Sequence, residues 1–286
     1  MKNMSVETRN KLIGLSFISP WFIGFCIFWA FPLVFSFIMS LNFVTIQTDQ
    51  LVFEFVGFAQ YQHALFMDAE IPRVLMEFTA QALIMVPVIV IFALLIALML
   101  NQKFFGRGLA RAVFFLPVVL TSGNFINELT AHGQGTLNFL QTATVTNLVG
   151  NLPGVWETAF SNVLNSFLMV LWYSGVQMLI LIAGMQSINP NVYEAAKIDG
   201  ANNWASLWLI TLPGIMPFIF ISVIYTIVDQ FTSPFNPFIR VVEWHFQQIH
   251  TGYGYATAIA WLYFIVILLI LALTVLLFRK PLGLKK

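Results

Sequence analysis

Polar side chains recur at helical spacing inside two of the long apolar stretches of this 286-residue chain. They are Trp172, Tyr173 and Gln177 in one stretch, and Thr226, Asp229, Gln230 and Ser233 in the other. Amides, hydroxyls and a carboxylate can exchange hydrogen bonds with the hydroxyl groups of a sugar, and Trp and Tyr rings can stack on its face. The same side chains can also bond one membrane helix to another, so the residues alone leave both roles open.

Other arrangements of reactive side chains are missing from the sequence. A third polar stripe, Asn124, Asn127 and Glu128, favours hydrogen bonding between helices. The single cysteine, Cys26, excludes a disulfide framework, and no H-E-x-x-H motif predicts a metal site. No G-x-x-x-x-G-K-[ST] phosphate loop occurs either. We therefore predict a chain that is not an enzyme and binds no cofactor or metal of its own.

The elements that position these residues follow from the composition. The chain is 59% hydrophobic and only 9% charged, whereas a soluble protein is about one quarter charged. Its uncharged windows mostly exceed the roughly 20 residues that a helix needs to cross a bilayer. We predict an all-α polytopic membrane protein with six transmembrane helices, near residues 13–39, 78–101, 109–131, 160–187, 207–231 and 255–278.

The distribution of Lys and Arg predicts the orientation of these helices. Eleven of the 13 basic residues fall in the termini and in the second and fourth connections, which leaves only Arg73 and Arg240 on the other side. Basic residues concentrate on the cytoplasmic side of a membrane protein. Both termini, residues 1–12 and 281–286, are therefore expected in the cytoplasm, and the net charge of +1 gives no indication of nucleic-acid binding.

The cytoplasmic connection between the fourth and fifth spans, residues 189–217, is longer than a hairpin needs. Asn189 is a suitable N-cap, Pro190 fits the first helical position, and Gly200 can supply the left-handed residue that ends the helix. A second helix is expected to begin at Asn202 or Asn203. Two to eight residues suffice to join neighbouring helices, so the extra length predicts a surface for a partner protein.

The same connection resembles the EAA loop of the permeases of ATP-binding cassette importers. The motif residues occur at the family's spacing and are Glu194, Ala195, Ala196, Gly200, Ile210, Leu212 and Pro213. Asp199 and the run-in AGMQSINPNVYEAA are similar to sugar permeases in particular, and weaker similarities extend over most of the chain. The resemblance implies the type I importer fold with its MetI-like core, here residues 75–280, preceded by an additional first helix.

The resemblance also implies what the loop does and what surrounds the chain. Glu194 would pair with an arginine of a cytoplasmic ATPase, Ala195 and Ala196 would allow close approach, and Gly200 would form the turn between two coupling helices. Two ATPase subunits, which hold ATP and magnesium, would drive transport through this contact. A second permease, an extracytoplasmic binding protein and a carbohydrate would be the other partners, in a bacterial inner membrane.

Three other functions are weighed against a sugar importer. A permease for another polar solute, such as a glycerol phosphodiester, polyol or oligouronate, shares the same motif. An ion-coupled secondary transporter would need ionisable groups at the membrane midplane and usually an internal repeat, and neither occurs. An intramembrane enzyme would need catalytic side chains at a common depth, and the sequence shows none.

Overall fold

The computed structural model describes residues 6–47, 50–102, 104–121, 154–248, 252–280 and 283. The stripe Asn124, Asn127 and Glu128 lies outside these residues, as does the second half of the predicted third span. Contacts between Cα atoms divide the chain into two compact units. The first unit is Met1–Leu75 with Arg240–Ile265, and the second is Met76–Ile239 with Val266–Lys286. Both units are therefore built from parts of the chain that are distant in sequence.

Helices account for most of the described residues. In chain order they are α1 (Val6–Phe25), α2 (Phe31–Ser40), α3 (Ala59–Gln62), α4 (Glu70–Asn101), α5 (Arg107–Thr121), α6 (Gly154–Gln186), α7 (Pro190–Ile198), α8 (Asn203–Ser206), α9 (Leu212–Gly214), α10 (Met216–Thr232), α11 (Pro237–Gln247) and α12 (Gly252–Phe278). Short π-helical segments occupy Cys26–Ala30, His63–Met67 and Leu207–Thr211. Two strands, β1 (Asn42–Gln47) and β2 (Gln50–Phe55), complete the described elements.

Five stretches of the described residues are long and apolar enough to cross a membrane. They are Ile13–Ser40, Glu70–Asn101, Met169–Gln186, Met216–Gln247 and Gly252–Phe278. These stretches overlap the first, second, fourth, fifth and sixth predicted spans, and α5 covers the first part of the third. Helix α4 begins at Glu70, eight residues before the predicted start of the second span near residue 78. Its first turns carry charged residues, so they lie outside the apolar window although they are helical.

The π-helical segment at Cys26–Ala30 joins α1 to α2 without a break in the helical path. Pro32 follows immediately, in the first turn of α2. In a regular α-helix a proline ring clashes with the carbonyl four residues earlier, which here belongs to Phe28 inside the π-helical segment. The wider turn therefore accommodates Pro32 within an otherwise continuous span.

The prediction of an all-α fold is wrong for one part of the first unit. Strands β1 and β2 form an antiparallel hairpin in which Asn42 faces Phe55 and Gln47 faces Gln50. The run Phe43–Val44–Thr45–Ile46 is rich in residues that favour strands. The sequence predicts only a connection here, because a short strand pattern is weak beside a long apolar helix. Helix α11 is also absent from the predicted elements, because Pro234 and Pro237 stand close together at its start and favour a turn.

Asp68 fixes the start of α4 within the first unit. Its Oδ1 atom accepts hydrogen bonds from the backbone N–H groups of Glu70 and Ile71, and its Oδ2 atom accepts one from the Tyr255 hydroxyl at 2.8 Å. Burial alone would raise the pKa of Asp68, but these three hydrogen bonds favour the charged form and lower it below its ordinary value. Asp68 is therefore held as a carboxylate at neutral pH.

The core of the second unit lies where α4 meets α6. Ala93 and Ala97 on α4 pack with Leu181 and Met185 on α6, and Ile215 from the chain before α10 closes the cluster. This core holds the two ends of the 189–217 connection.

Candidate functional site

The connection at 189–217 begins with a capped helix. Asn189 has extended backbone angles, and its side chain accepts a hydrogen bond of 3.0 Å from the backbone N–H of Asn191. Pro190 follows in the first turn of α7, where its missing N–H costs no intrahelical bond. The expected start of the first loop helix is confirmed.

Helix α7 ends in a complete Schellman motif at Gly200. The glycine has a φ of +82°, and its backbone N–H bonds to the carbonyl of Lys197. The N–H of Ala201 bonds to the carbonyl of Ala196 at 2.9 Å. This pair of bonds defines the motif, and a left-handed residue favours glycine because a Cβ atom is disfavoured there. The predicted turn at Gly200 is confirmed.

The chain returns toward the core through a second helix and a π-helical segment. Asn202 caps α8 by accepting a hydrogen bond of 2.8 Å from the N–H of Ala205, as predicted. Leu207–Thr211 is π-helical, and α9 and α10 follow it, with the break between them at the fully buried Ile215. The loop is thus two capped helices connected by a glycine turn.

Most motif residues of this loop are accessible. Glu194, Ala195, Asp199, Gly200 and Pro213 are exposed, while Ala196, Ile210 and Leu212 are half-buried. Large apolar side chains are exposed beside them: Ile198 by 87%, and Trp204 and Trp208 by 67% and 53%. The rings of Trp204 and Trp208 contact each other, with centroids 5.6 Å apart, and exposed apolar patches mark interaction surfaces. The surface formed by α7 and α8 therefore combines a carboxylate with apolar groups that nothing covers within the described residues.

Close contacts occur where this loop joins the rest of the second unit. A Cβ atom at Gly184 would lie 2.6 Å from Cγ of Phe218, and one at Gly214 would lie 2.9 Å from Cδ1 of Ile188. At both positions glycine lets the backbone lie close to a neighbouring side chain, Phe218 or Ile188. Any other residue would force that side chain or the backbone to move. The Tyr193 hydroxyl also lies 3.0 Å from Oγ1 of Thr211, which joins α7 to the π-helical segment.

Four of the predicted pathway residues line one cavity of about 170 Å³ in the second unit. Trp172 and Tyr173 come from α6, while Asp229 and Ser233 come from the end of α10 and the residue after it. The rest of the lining is Val176, Tyr225, Thr232 and Pro234. The Tyr173 hydroxyl donates a hydrogen bond of 2.7 Å to Ser233. One carboxylate, several hydroxyls and three aromatic rings thus surround a single space.

Gln230 lines a second cavity, of about 140 Å³, which it shares with Tyr173. The other lining residues are Phe78, Gln81, Ala82, Met85, Met169, Phe235, Asn236 and Pro237. Tyr173 therefore borders both spaces. This second cavity is less polar, because its lining carries no charged side chain.

Gln177 and Thr226 lie apart from both cavities. They are fully buried, and Nε2 of Gln177 donates a hydrogen bond of 3.0 Å to Oγ1 of Thr226. Thr226 in turn donates to the carbonyl of Ser222 at 2.7 Å. This pair thus has the geometry of an interhelical bond between α6 and α10, the alternative role that the sequence left open.

Three residues of the site, Tyr225, Gln81 and Tyr193, are not among those predicted from the sequence. Tyr225 precedes Asp229 by four residues and so shares its helix face, a spacing that could have revealed it. Gln81 lies on α4, and only the three-dimensional packing brings it to the second cavity. Among the described residues, no group of three or more His, Cys, Asp and Glu side chains could hold a metal ion.

Comparison with known proteins identifies the family. Residues 64–280 match the family of binding-protein-dependent transport system inner membrane components. The chain belongs to this family. It is 26% identical to the probable ABC transporter permease YesP of Bacillus subtilis, over 98% of this chain and 93% of the relative. It is also 28% identical to MsmF, the multiple sugar-binding transport system permease of Streptococcus mutans, over 96% and 98%.

A solved structure shares the fold of this permease. The bacterial alginate ABC transporter, crystallised with an alginate pentasaccharide-bound periplasmic protein, contains a chain that superposes with a TM-score of 0.65. The match covers 96% of both chains at 19% sequence identity. At this identity the similarity establishes the fold of the permease and not its substrate.

Proposed function

We propose that this permease moves a sugar or oligosaccharide, delivered by an extracytoplasmic binding protein, into the cell. The observation that carries the substrate class is the cavity that brings Trp172, Tyr173, Asp229 and Ser233 together. Its carboxylate and hydroxyls can bond to sugar hydroxyls, and its rings can stack on a sugar face. The sugar permease MsmF, similar over nearly its whole length, supports the same class.

The energy for transport comes from a separate ATPase that contacts the surface formed by α7 and α8. In this proposal Glu194 makes the ionic contact, Ala195 and Ala196 allow close approach, and Gly200 holds the turn. The exposure of Glu194 and Ile198 supports it, because both are available to a partner. ATP-driven closure of the ATPases would favour one arrangement of the membrane helices over another, because the ATPases would contact the surface formed by α7 and α8 differently in the two arrangements.

The full assembly would contain a second permease, two ATPase subunits and one binding protein. With six membrane spans and cytoplasmic termini, the topology that we propose, the 189–217 connection would lie on the side of the ATPases. The distribution of Lys and Arg supports this orientation, since Lys197 lies in the connection itself. The pore would form between the two permeases, because the cavities of one chain are small, at about 170 and 140 Å³.

The proposal is tested in proteoliposomes that hold this permease with the second permease, ATPase and binding protein of its own system. ATP hydrolysis and sugar uptake are measured with maltotriose, arabinotriose, lactose, glycerol 3-phosphocholine, a polyol and an oligouronate. We expect one neutral sugar to stimulate both activities. Stimulation by a non-sugar alone would contradict the substrate class.

The coupling role is tested in the same assay with Glu194→Ala and Gly200→Pro. Both variants are expected to abolish substrate-stimulated hydrolysis and to reduce co-purification of the ATPase. Glu54→Gln is the matched control, because it removes an exposed carboxylate from the β2 strand of the first unit. Normal uptake by both loop variants would show that the loop is only a connector.

A further inference from the structure

We propose that Tyr193 is a positioning residue that transmits the movement of α7 to α10 through its hydrogen bond to Thr211. The inference rests on the proposed coupling function of the loop. It assigns a role to a residue outside the E-A-A and glycine positions on which that function depends.

The backbone route from α7 to α8 is poorly suited to transmit movement. Residues 199–203 form a turn that is exposed except at half-buried Ala201. A Cβ atom at Gly200 would meet no heavy atom within 4 Å. Segments with few buried contacts and exposed backbone open at low free energy. A displacement of α7 can therefore be absorbed at this turn unless a second connection bypasses it.

The hydrogen bond between Tyr193 and Thr211 is such a bypass. It joins the end of the first turn of α7 to the last residue of the π-helical segment, 18 positions later in sequence, with 3.0 Å between the two oxygens. Thr211 is only 7% exposed, so its hydroxyl lies in a site where water competes weakly. A bond in such an environment is stronger than one in bulk solvent.

The hydroxyl proton of Thr211 decides which oxygen is the donor in the Tyr193–Thr211 hydrogen bond. Oγ1 of Thr211 also lies 3.2 Å from the carbonyl of Ser206, which can only accept a hydrogen bond. The single proton of the Thr211 hydroxyl goes to that carbonyl, so the Tyr193 hydroxyl must donate to Thr211. Removal of the Tyr193 hydroxyl thus leaves the Thr211–Ser206 bond intact. Removal of the Thr211 hydroxyl leaves both Tyr193 and the Ser206 carbonyl without this partner.

Beyond Thr211 the chain is anchored at Ile215, which is fully buried in the core of the second unit directly before α10. The backbone also lies close to neighbouring side chains on both sides of this point. A Cβ atom at Gly214 would lie 2.9 Å from Cδ1 of Ile188, and one at Gly184 would lie 2.6 Å from Cγ of Phe218 on α10. In this proposal a displacement applied at Thr211 acts on Ile215 and so on the start of α10, the helix that carries Asp229.

The test measures sugar molecules transported per ATP hydrolysed, in proteoliposomes with the sugar that stimulates the wild-type complex. Tyr193→Phe and Thr211→Val are each expected to lower this ratio roughly two- to tenfold, the factor that corresponds to one net hydrogen bond. The ATPase should still co-purify, because Glu194 and Ile198 are unchanged. Thr211→Ser keeps the hydroxyl and should restore the wild-type ratio.

A double-mutant cycle separates transmission from general damage. If the bond is the connection, Tyr193→Phe with Thr211→Val lowers the ratio no further than Thr211→Val alone. Tyr253→Phe, which removes a tyrosine hydroxyl from the first unit, is the control and should leave the ratio unchanged. Additive losses from the two substitutions, or a wild-type ratio in Tyr193→Phe, would overturn the inference. If Glu194→Ala and Gly200→Pro also leave coupling intact, the proposed function itself fails.

Discussion

The contact between Gly184 on α6 and Phe218 on α10 yields a quantitative prediction about stability. A Cβ atom at position 184 would lie 2.6 Å from Cγ, 2.8 Å from Cδ2 and 2.9 Å from Cβ of Phe218. These atoms are at the base of the ring, so a change of rotamer far along the side chain cannot relieve the overlap. Gly184→Ala must therefore move one of the two helices or displace the Phe218 ring from its present position.

Overpacking of this kind costs about 1–3 kcal/mol. For chains of 150–250 residues each kcal/mol lowers the melting temperature by about 2–4 °C. Alanine also brings a gain of about 1 kcal/mol in helix propensity over glycine. We therefore compare Gly184→Ala with a Gly→Ala control that has the same gain but no overlap, and expect a melting temperature roughly 2–12 °C below that control.

The assay is thermal unfolding of the purified complex in detergent, followed by intrinsic fluorescence. Gly24→Ala is the matched control, because a Cβ atom at Gly24 meets nothing within 4 Å. It should leave the melting temperature unchanged or raise it slightly. In a Phe218→Ala background, Gly184→Ala should cost much less, since the whole ring is gone and only the contact of 2.9 Å with Cβ remains. An equal cost in both backgrounds, or no cost at all, would refute the packing argument.

Four further predictions concern single side chains. Thr226→Val should lower stability by about 1 kcal/mol, because it leaves the buried Gln177 amide without its partner. Thermal unfolding measures the loss, and an unchanged melting temperature would show that the hydrogen bond contributes nothing. Asp229→Asn should reduce sugar uptake severalfold without lowering the melting temperature, and unchanged uptake would remove Asp229 from the pathway. Asn189→Ala should lower the stability of α7 by about 1 kcal/mol through loss of its N-cap, visible as faster amide hydrogen exchange in α7 alone. The folded-state pKa of Asp68 is lowered, so its contribution to stability is present at neutral pH and lost as pH falls through that lowered value. Asp68→Asn should therefore flatten the acid side of a plot of melting temperature against pH, and an unaltered plot would contradict this assignment.

The 189–217 connection was predictable from the sequence because its structure is encoded locally. Asn189, Pro190, Gly200 and Asn202 each act within two to four residues of themselves, through caps and a left-handed turn. No distant part of the chain has to be known for such signals to be read. The hairpin of β1 and β2 is also local, but its short strands follow a span whose apolar pattern is far stronger. The strand propensity of residues 43–46 could have revealed it.

The polar residues of α6 and α10 show where prediction from periodicity ends. Gln177 and Asp229 both recur at helical spacing and both belong inside the bundle, since an unpaired polar group in lipid is costly. Periodicity places them on an inward face but does not say whether that face meets another helix or an open space. In the structure the two differ: the side-chain amide of Gln177 donates a hydrogen bond to Thr226, whereas Asp229 lines a cavity. The difference arises from the way α6 and α10 pack against each other. This packing depends on contacts such as that of Gly184 with Phe218. These residues are distant in sequence, so no local pattern reveals the contact.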